Sequence, residues 1–329
     1  ILTVADRYSP VFVFLVCALA GAAANVSLIW SGTAFAALTA RFITGFFLAG
    51  IYPVGMKIAS DWHKEGLGKA LGYLVGALVV GTAFPHLLKY FGSDFPWQYV
   101  ITGTSILASA GGILLYLTVS DGPYRGSSTR AKIKFNAFTK LFRNKNFRSA
   151  AFGYFGHMWE LYTFWAFVPV ILIEYLMRSP DAGLPVSLWS FLIIGVGGIS
   201  CAVGGLLTIR KGSKWVSMVS LFGSGLCCLL IPFAFSMPLF LFLSFLMVWG
   251  MLVVSDSPQF SALVAHSSDP KLVATGLTIV NSIGFALTIL SIQLVSYLWL
   301  NSGSALSFWV MAAGPIAGFC AIYSYKPEK

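Results

Sequence analysis

Residues 187–209 read SLWSFLIIGVGGISCAVGGLLTI, a run of 23 positions without a charged side chain. Arg210 and Lys211 follow at once and end the run with two positive charges. A helix of about 20 apolar residues crosses the ~30 Å hydrocarbon core of a bilayer. The stretch therefore predicts a membrane-spanning helix that ends at a basic turn.

Nine further apolar stretches of comparable length fill most of the chain. Overall, 57% of the residues are hydrophobic and 10% are charged, whereas soluble domains average about 25% charged residues. In a lipid bilayer such an apolar surface is the stable exterior, so we predict an all-α membrane protein. The ten stretches are 10–29, 33–58, 68–90, 98–119, 148–176, 187–209, 214–234, 238–264, 272–297 and 304–324.

The basic residues lie in every second gap between these stretches. Only Lys89 and Arg178 fall in the opposite gaps, and Arg41 and Lys57 lie within a stretch. Since basic loops stay on the cytoplasmic side, we expect the central loop and the C-terminus to face the cytoplasm. We expect the protein to lie in the cytoplasmic (inner) membrane. The net charge of +10 then reflects orientation, and we expect no nucleic-acid partner. The face predicted to be cytoplasmic carries Arg7, Lys64, Lys69, Arg125, Arg130, Lys132, Lys134, Lys140, Arg143, Lys145, Arg148, Arg210, Lys211, Lys214, Lys271, Lys326 and Lys329.

A long polar segment divides the chain into two parts. We predict an N-terminal half over residues 1–120, a basic cytoplasmic loop over 121–147 and a C-terminal half over 148–329. Proline and glycine end the helix before the loop, and the basic residues keep the loop at the membrane surface.

The two halves resemble each other in register. Pro53 and Pro258 are 205 residues apart within long apolar stretches, and Gly72 and Gly276 are 204 apart. A shared offset predicts an internal duplication whose halves are related by an axis along the membrane normal. The same arithmetic predicts about two helices before Ile1, and hence twelve helices in two halves of six.

Short motifs resemble those of the major facilitator superfamily. Asp6 and Arg7 resemble the Asp–Arg turn after the family's second helix, although Ser9 and Pro10 replace the glycine and basic residues that follow it. The turn at Arg210 and Lys211 resembles its counterpart in the second half.

This resemblance covers the whole chain and identifies no subfamily. It implies an N-terminally truncated helical bundle of this family, with the ten stretches equivalent to helices 3–12 of a 6+6 arrangement. It also implies a gating role for Asp6, Arg7, Arg210 and Lys211. The cavity of such a transporter is lined by helices one, four, seven and ten.

Glu160 is the first candidate for a solute or proton pathway. It lies halfway along the 148–176 stretch, where an ionised carboxylate is costly unless it is paired or faces water. His157 is three residues away, so the two side chains can touch on one helical face. Burial favours the neutral carboxyl form and imidazole titrates near neutral pH. The pair either carries a coupling proton or contacts the solute, or it is a structural pair.

Arg41 is the second candidate, and Tyr52 lies on the same face of its helix. A guanidinium within the hydrocarbon can bind a carboxylate or another anion through two hydrogen bonds. It can equally pair with an acid on another helix or extend towards the membrane surface. Family resemblance favours an architectural or coupling role.

A third polar group surrounds Pro258. Asp256 and Gln259 flank it, and proline leaves a backbone carbonyl that side chains can satisfy. Gating and ligand binding are both open for this group. Asn281 is an interior amide of the same ambiguous kind, since amides also join helices.

We therefore predict a secondary active transporter that moves a small solute by rocker-switch alternating access. Proton symport and an organic or inorganic anion as solute are the sharper hypotheses. Facilitated diffusion by a uniporter and a non-transporting receptor or assembly protein are the alternatives. The sequence has no Gly-x-x-x-x-Gly-Lys-[Ser/Thr] loop, no Gly-x-Ser-x-Gly elbow and no His-Glu-x-x-His helix, so we expect no catalysis, cofactor or metal. We expect the protein to function as a monomer in the lipid bilayer.

Overall fold

The computed structural model describes residue 5 and residues 8–63, 65–91, 96–125 and 137–326. These residues form helices joined by short turns, and no strand occurs among them. The helices are α1 Pro10–Ser27, α2 Ala34–Leu48, α3 Tyr52–Trp62, α4 Leu67–Phe91, α5 Trp97–Thr118, α6 Ala137–Arg143, α7 Lys145–Arg178, α8 Val186–Lys211, α9 Ser213–Ala234, α10 Leu239–Ser255, α11 Ser257–His266, α12 Val273–Ser302 and α13 Ala313–Tyr323.

Ten helical segments in the described part of the chain are long and apolar enough to cross a membrane. Each coincides with one of the ten apolar stretches, so the prediction of an all-α bundle is confirmed. The last segment contains a 3₁₀-helix over Ala305–Ala312 before α13 begins. The short helix α6 lies within the segment predicted as the central loop.

Two of the long stretches are interrupted rather than continuous. The stretch 33–58 breaks between α2 and α3, and the stretch 238–264 breaks at Asp256, between α10 and α11. Proline has no N–H and clashes with the carbonyl four residues earlier, so a helix restarts near it. Pro53 and Pro258 each lie in the first turn of the new helix. The breaks therefore fall at matching places in the proposed duplication.

The first compact unit comprises Ile1–Glu65, Gly92–Thr139 and Ser268–Ile279. Helices α2, α3 and α5 of this unit each pack on α1. The buried core of this unit contains Val11, Val54 and Ile58. Apolar contact between these side chains fixes the relative positions of α1 and α3.

The second unit comprises Gly66–Phe91, Lys140–Ser267 and Val280–Lys329. Within it, α4 packs along α8 at glycine positions. A Cβ atom on Gly72 would lie 2.6 Å from the carbonyl oxygen of Cys201, and one on Gly76 would lie 2.7 Å from that of Gly198. The two backbones are therefore in direct contact.

This grouping differs from the expected division into residues 1–120 and 148–329. Helix α4 belongs by contact to the unit that contains α7–α11, because its glycines pack directly against α8. The first turns of α12 group with α1–α3 and α5, whereas the rest of α12 belongs to the second unit.

Candidate functional site

Glu160 lies near the middle of α7 and is 1% exposed. An isolated carboxylate in an apolar interior is strongly destabilised, so a buried one needs hydrogen-bond donors. Neighbouring helices of the second unit supply them. Sequence reasoning placed this residue in the interior, and the structure places it there.

Three neutral groups donate hydrogen bonds to the Glu160 carboxyl. Ser224 Oγ donates to Oε2 over 2.7 Å, and Trp249 Nε1 donates to Oε1 over 2.8 Å. Cys228 Sγ donates to Oε1 over 3.1 Å. Ser224 and Cys228 share one face of α9 at a spacing of four, and Trp249 lies on α10.

No Lys, Arg or His forms an ion pair with Glu160 among the described residues. The hydrogen bonds satisfy the carboxyl oxygens, but nothing among these neighbours neutralises a full negative charge. Such a group can exchange a proton at lower cost than one held by a guanidinium. This arrangement suits a proton-binding role.

His157 has a different partner from the one that residue spacing predicted. Its Nδ1 lies 2.8 Å from Asp256 Oδ1, and both side chains are 1% exposed. Asp256 lies at the break between α10 and α11. Positions three apart lie about 60° from each other around a helix axis, so His157 contacts Asp256 at this break while Glu160 contacts α9 and α10.

Gln259 and Asn281, the remaining polar candidates of the second unit, are also buried. Tyr154 donates a hydrogen bond from its hydroxyl to Asn281 Oδ1 over 2.5 Å. Gln259 is fully buried, and its Oε1 accepts a hydrogen bond from Ser213 Oγ over 3.2 Å. Four polar residues of this unit are thus buried: His157, Asp256, Gln259 and Asn281.

Arg41 lies in the first unit and is exposed. Its Nη1 donates to Asn25 Oδ1 over 3.1 Å. Asn25 in turn donates to Ser105 Oγ over 3.0 Å and to Thr104 Oγ1 over 3.2 Å. These four residues line a cavity of about 490 Å³ within the unit. Its polar groups include donors that suit an anionic or hydroxyl-bearing solute.

Three of the other predicted residues are described by the structure. Tyr52 is the half-buried first residue of α3. Arg210 and Lys211 are exposed at the end of α8, and Lys211 Nζ lies 5.8 Å from the centre of the Trp215 ring. Asp6 and Arg7 lie outside the described residues.

Sequence reasoning missed an ion pair and the donors to Glu160. Lys57 and Asp61 form a buried ion pair one turn apart on α3. Their spacing of four was visible in the sequence. The donors Ser224, Cys228 and Trp249 are 64, 68 and 89 residues from Glu160, so no local spacing could identify them.

Comparison with known proteins gives a consistent fold. The family model described as Major Facilitator Superfamily matches residues 3–291. Among curated protein sequences, none is significantly similar to this chain.

Several solved transporters have a similar fold. The human organic anion transporter MFSD10 (TETRAN) has a TM-score of 0.77 at 15% identity, covering 97% of this chain and 78% of that one. The fucose:proton symporter FucP of E. coli has a TM-score of 0.73 at 12% identity, with 97% and 84% covered. A bacterial homologue of the human lysosomal transporter Spinster, in an inward-facing conformation, has a TM-score of 0.56 at 14% identity, with 98% and 83% covered.

Proposed function

Because the chain belongs to the major facilitator superfamily, we propose that this integral multi-pass membrane protein is a secondary active transporter that moves a small solute by alternating access. The proposal extends to proton symport. It rests on one observation: Glu160 is buried at the middle of α7 with three neutral donors and no cation among its described partners. FucP, which has a similar fold, is a fucose:proton symporter, and this agrees with the choice of a proton as the coupling ion.

An anion is the proposed solute class. The support is the exposed guanidinium of Arg41, which lines the cavity beside Asn25, Thr104 and Ser105. MFSD10, which also has a similar fold, is an organic anion transporter. The inner membrane, a cytoplasmic central loop and a monomeric state complete the proposal.

The test is uptake into proteoliposomes under an imposed inward proton gradient. The probes are radiolabelled lactate and benzoate as organic anions, and L-fucose as a neutral hydroxylated solute. We expect an anion to accumulate above its equilibrium level and the Glu160→Gln variant only to equilibrate it. Glu174→Gln is the matched control, because Glu174 also lies on α7 but pairs with Arg178.

The outcomes separate the alternatives. Accumulation that persists in Glu160→Gln removes Glu160 from coupling. Uptake that never exceeds equilibrium in the wild-type protein supports the uniporter. Solute-dependent thermal stabilisation without uptake supports a receptor. Accumulation of fucose that is unaffected by Arg41→Ala contradicts the anion proposal.

A further inference from the structure

Helix α9 carries a regular row of serines on one face. Ser213, Ser217, Ser220 and Ser224 follow at intervals of four, three and four residues, which is the spacing of a single helical face. The last three of them are at most 3% exposed. Hydroxyl groups in an apolar interior are unfavourable unless they are hydrogen-bonded, so a continuous buried row requires an explanation.

The row runs from the start of α9 to Glu160. At its first residue, Ser213 Oγ donates to Gln259 Oε1 over 3.2 Å. Further along, Ser220 Oγ and Ser255 Oγ are 2.7 Å apart. At the far end Ser224 Oγ donates to Glu160 Oε2 over 2.7 Å. The serines and their partners form what we name the serine track.

Two atoms along the track have no hydrogen-bond partner among the described residues. They are Ser217 Oγ and Gln259 Nε2, and both side chains are fully buried. Gln259 Nε2 belongs to the same amide whose oxygen is held by Ser213, so it lies at the beginning of the track. Buried polar atoms of this kind are normally satisfied by internal water. The two unpartnered atoms therefore indicate, independently of the serine spacing, that the track is hydrated.

We propose that the serine track is a hydrated proton path between the Ser213 end of α9 and the carboxyl of Glu160. The proposal rests on the proton-coupling role given to Glu160 above. A hydroxyl is both donor and acceptor, so it can take a proton from water on one side and release its own on the other. At the end the O–H bond of Ser224 breaks as an O–H bond forms on the Glu160 carboxylate, and Ser224 Oγ takes a replacement proton from water in the track, so no electrons are transferred.

Other titratable groups lie near Glu160, and their protonation must be distinguished from that of Glu160. Cys228 of α9 contacts the Glu160 carboxyl directly, and Cys227 and Asp256 are near enough to interact with it electrostatically. His157 lies one turn away on α7 and pairs with Asp256. A readout specific to Glu160 is therefore needed.

The experiment is a rapid acid jump on the purified full chain in detergent, followed by infrared spectroscopy. The C=O band of the protonated Glu160 carboxyl is identified by its loss in Glu160→Gln. The comparison is between Ser217→Thr and Ser217→Val, because threonine and valine have the same shape and differ in the hydroxyl. Ser190→Val is the control, since Ser190 is a fully buried serine of α8 that bonds to Val186 within its own helix.

Positioned proton-transfer groups commonly contribute large rate factors, so we expect Ser217→Val to slow the appearance of the band by about tenfold or more relative to Ser217→Thr. Ser190→Val should behave as wild type. Equal rates in the two Ser217 variants would overturn the proton path and leave the serines as interhelical contacts. Absence of a Glu160 band at every pH would also overturn it.

This measurement needs neither a solute nor transport. A slow Ser217→Val variant together with uncoupled uptake in proteoliposomes would retain the path and refute symport. Equal rates in the Ser217 variants together with loss of accumulation in Glu160→Gln would retain symport and refute the path.

Discussion

Trp249 has one specific role at the scale of single residues: its indole N–H donates to Glu160. Replacing Trp249 by phenylalanine removes that donor and part of the packing. Loss of a hydrogen bond to a charged or buried acceptor costs about 1.5–3 kcal/mol, so we expect Trp249→Phe to lower the free energy of unfolding by about that amount.

Trp165→Phe is the matched control, because Trp165 is also buried but its Nε1 has no hydrogen-bond partner among the described residues. Denaturation of the purified variants in detergent measures both effects. Equal destabilisation by the two substitutions would show that packing alone accounts for the change.

The His157–Asp256 pair makes a second prediction. Removing one member of a buried polar pair leaves the other without its partner at a cost of about 1–3 kcal/mol, whereas replacing both by apolar groups can be nearly neutral. We expect His157→Leu and Asp256→Leu each to destabilise the protein strongly and the double variant to be more stable than the sum of the two effects implies. Additive effects in this double-mutant cycle would mean that the two side chains do not interact.

Only part of the Glu160 site could be predicted from the spacing of residues along the sequence. Burial of Glu160 was predictable, because a charge at mid-membrane is too costly to face lipid. Its partners were not predictable, since they come from α9 and α10 and depend on helix packing. Local spacing predicted that His157 is the partner of Glu160, whereas in the structure His157 pairs with Asp256. The serines of α9 were readable as a periodic row, but the role of that row depends on Glu160 and Gln259.

The contact between α4 and α8 makes a prediction about helix packing. A Cβ on Gly72 would approach backbone atoms of Cys201 and Gly205 closely. Backbone cannot move aside as a flexible side chain can, so overpacking of about 1–3 kcal/mol is expected for Gly72→Ala. Gly81→Ala on the same helix has open space around its Cβ and should be neutral or stabilising.

Thermal unfolding of the two glycine variants in detergent checks this prediction. A Gly72→Ala protein as stable as Gly81→Ala would show that α4 and α8 are not in direct backbone contact. The spacing of four between Gly72 and Gly76 is typical of helices that approach each other closely. It could not identify α8 as the neighbour, because helix pairing depends on the whole bundle.

The positions of the membrane-spanning segments were predictable from the sequence, whereas the breaks within two of them were not. Apolar length alone located all ten segments, since the bilayer sets a single minimum span. The breaks before Pro53 and Pro258 required the local geometry of proline, which can produce either a kink or a restart. In both places the structure has a restart.

Orientation in the membrane is a prediction at the scale of the whole molecule. Tyr124 and Asp181 are exposed and lie in gaps that the basic residues assign to opposite faces. In a Cys320→Ser background, which removes an exposed native cysteine, we expect Tyr124→Cys to react with an impermeant maleimide only in inside-out vesicles. Asp181→Cys should react only in intact cells. The reverse pattern would place the central loop outside.

The length of α7 has a mechanical consequence. Its 34 residues make a rod of about 51 Å, considerably longer than the ~30 Å hydrocarbon layer, so it must lean or protrude. Hydrogen bonds from α9 and α10 hold Glu160 near the midpoint of α7, so α7 can pivot about that point. A tilt of about 10° there would swing each tip by roughly 4 Å. If Glu160 takes up the coupling proton as proposed, a small rearrangement at this point would become a larger displacement at both membrane surfaces.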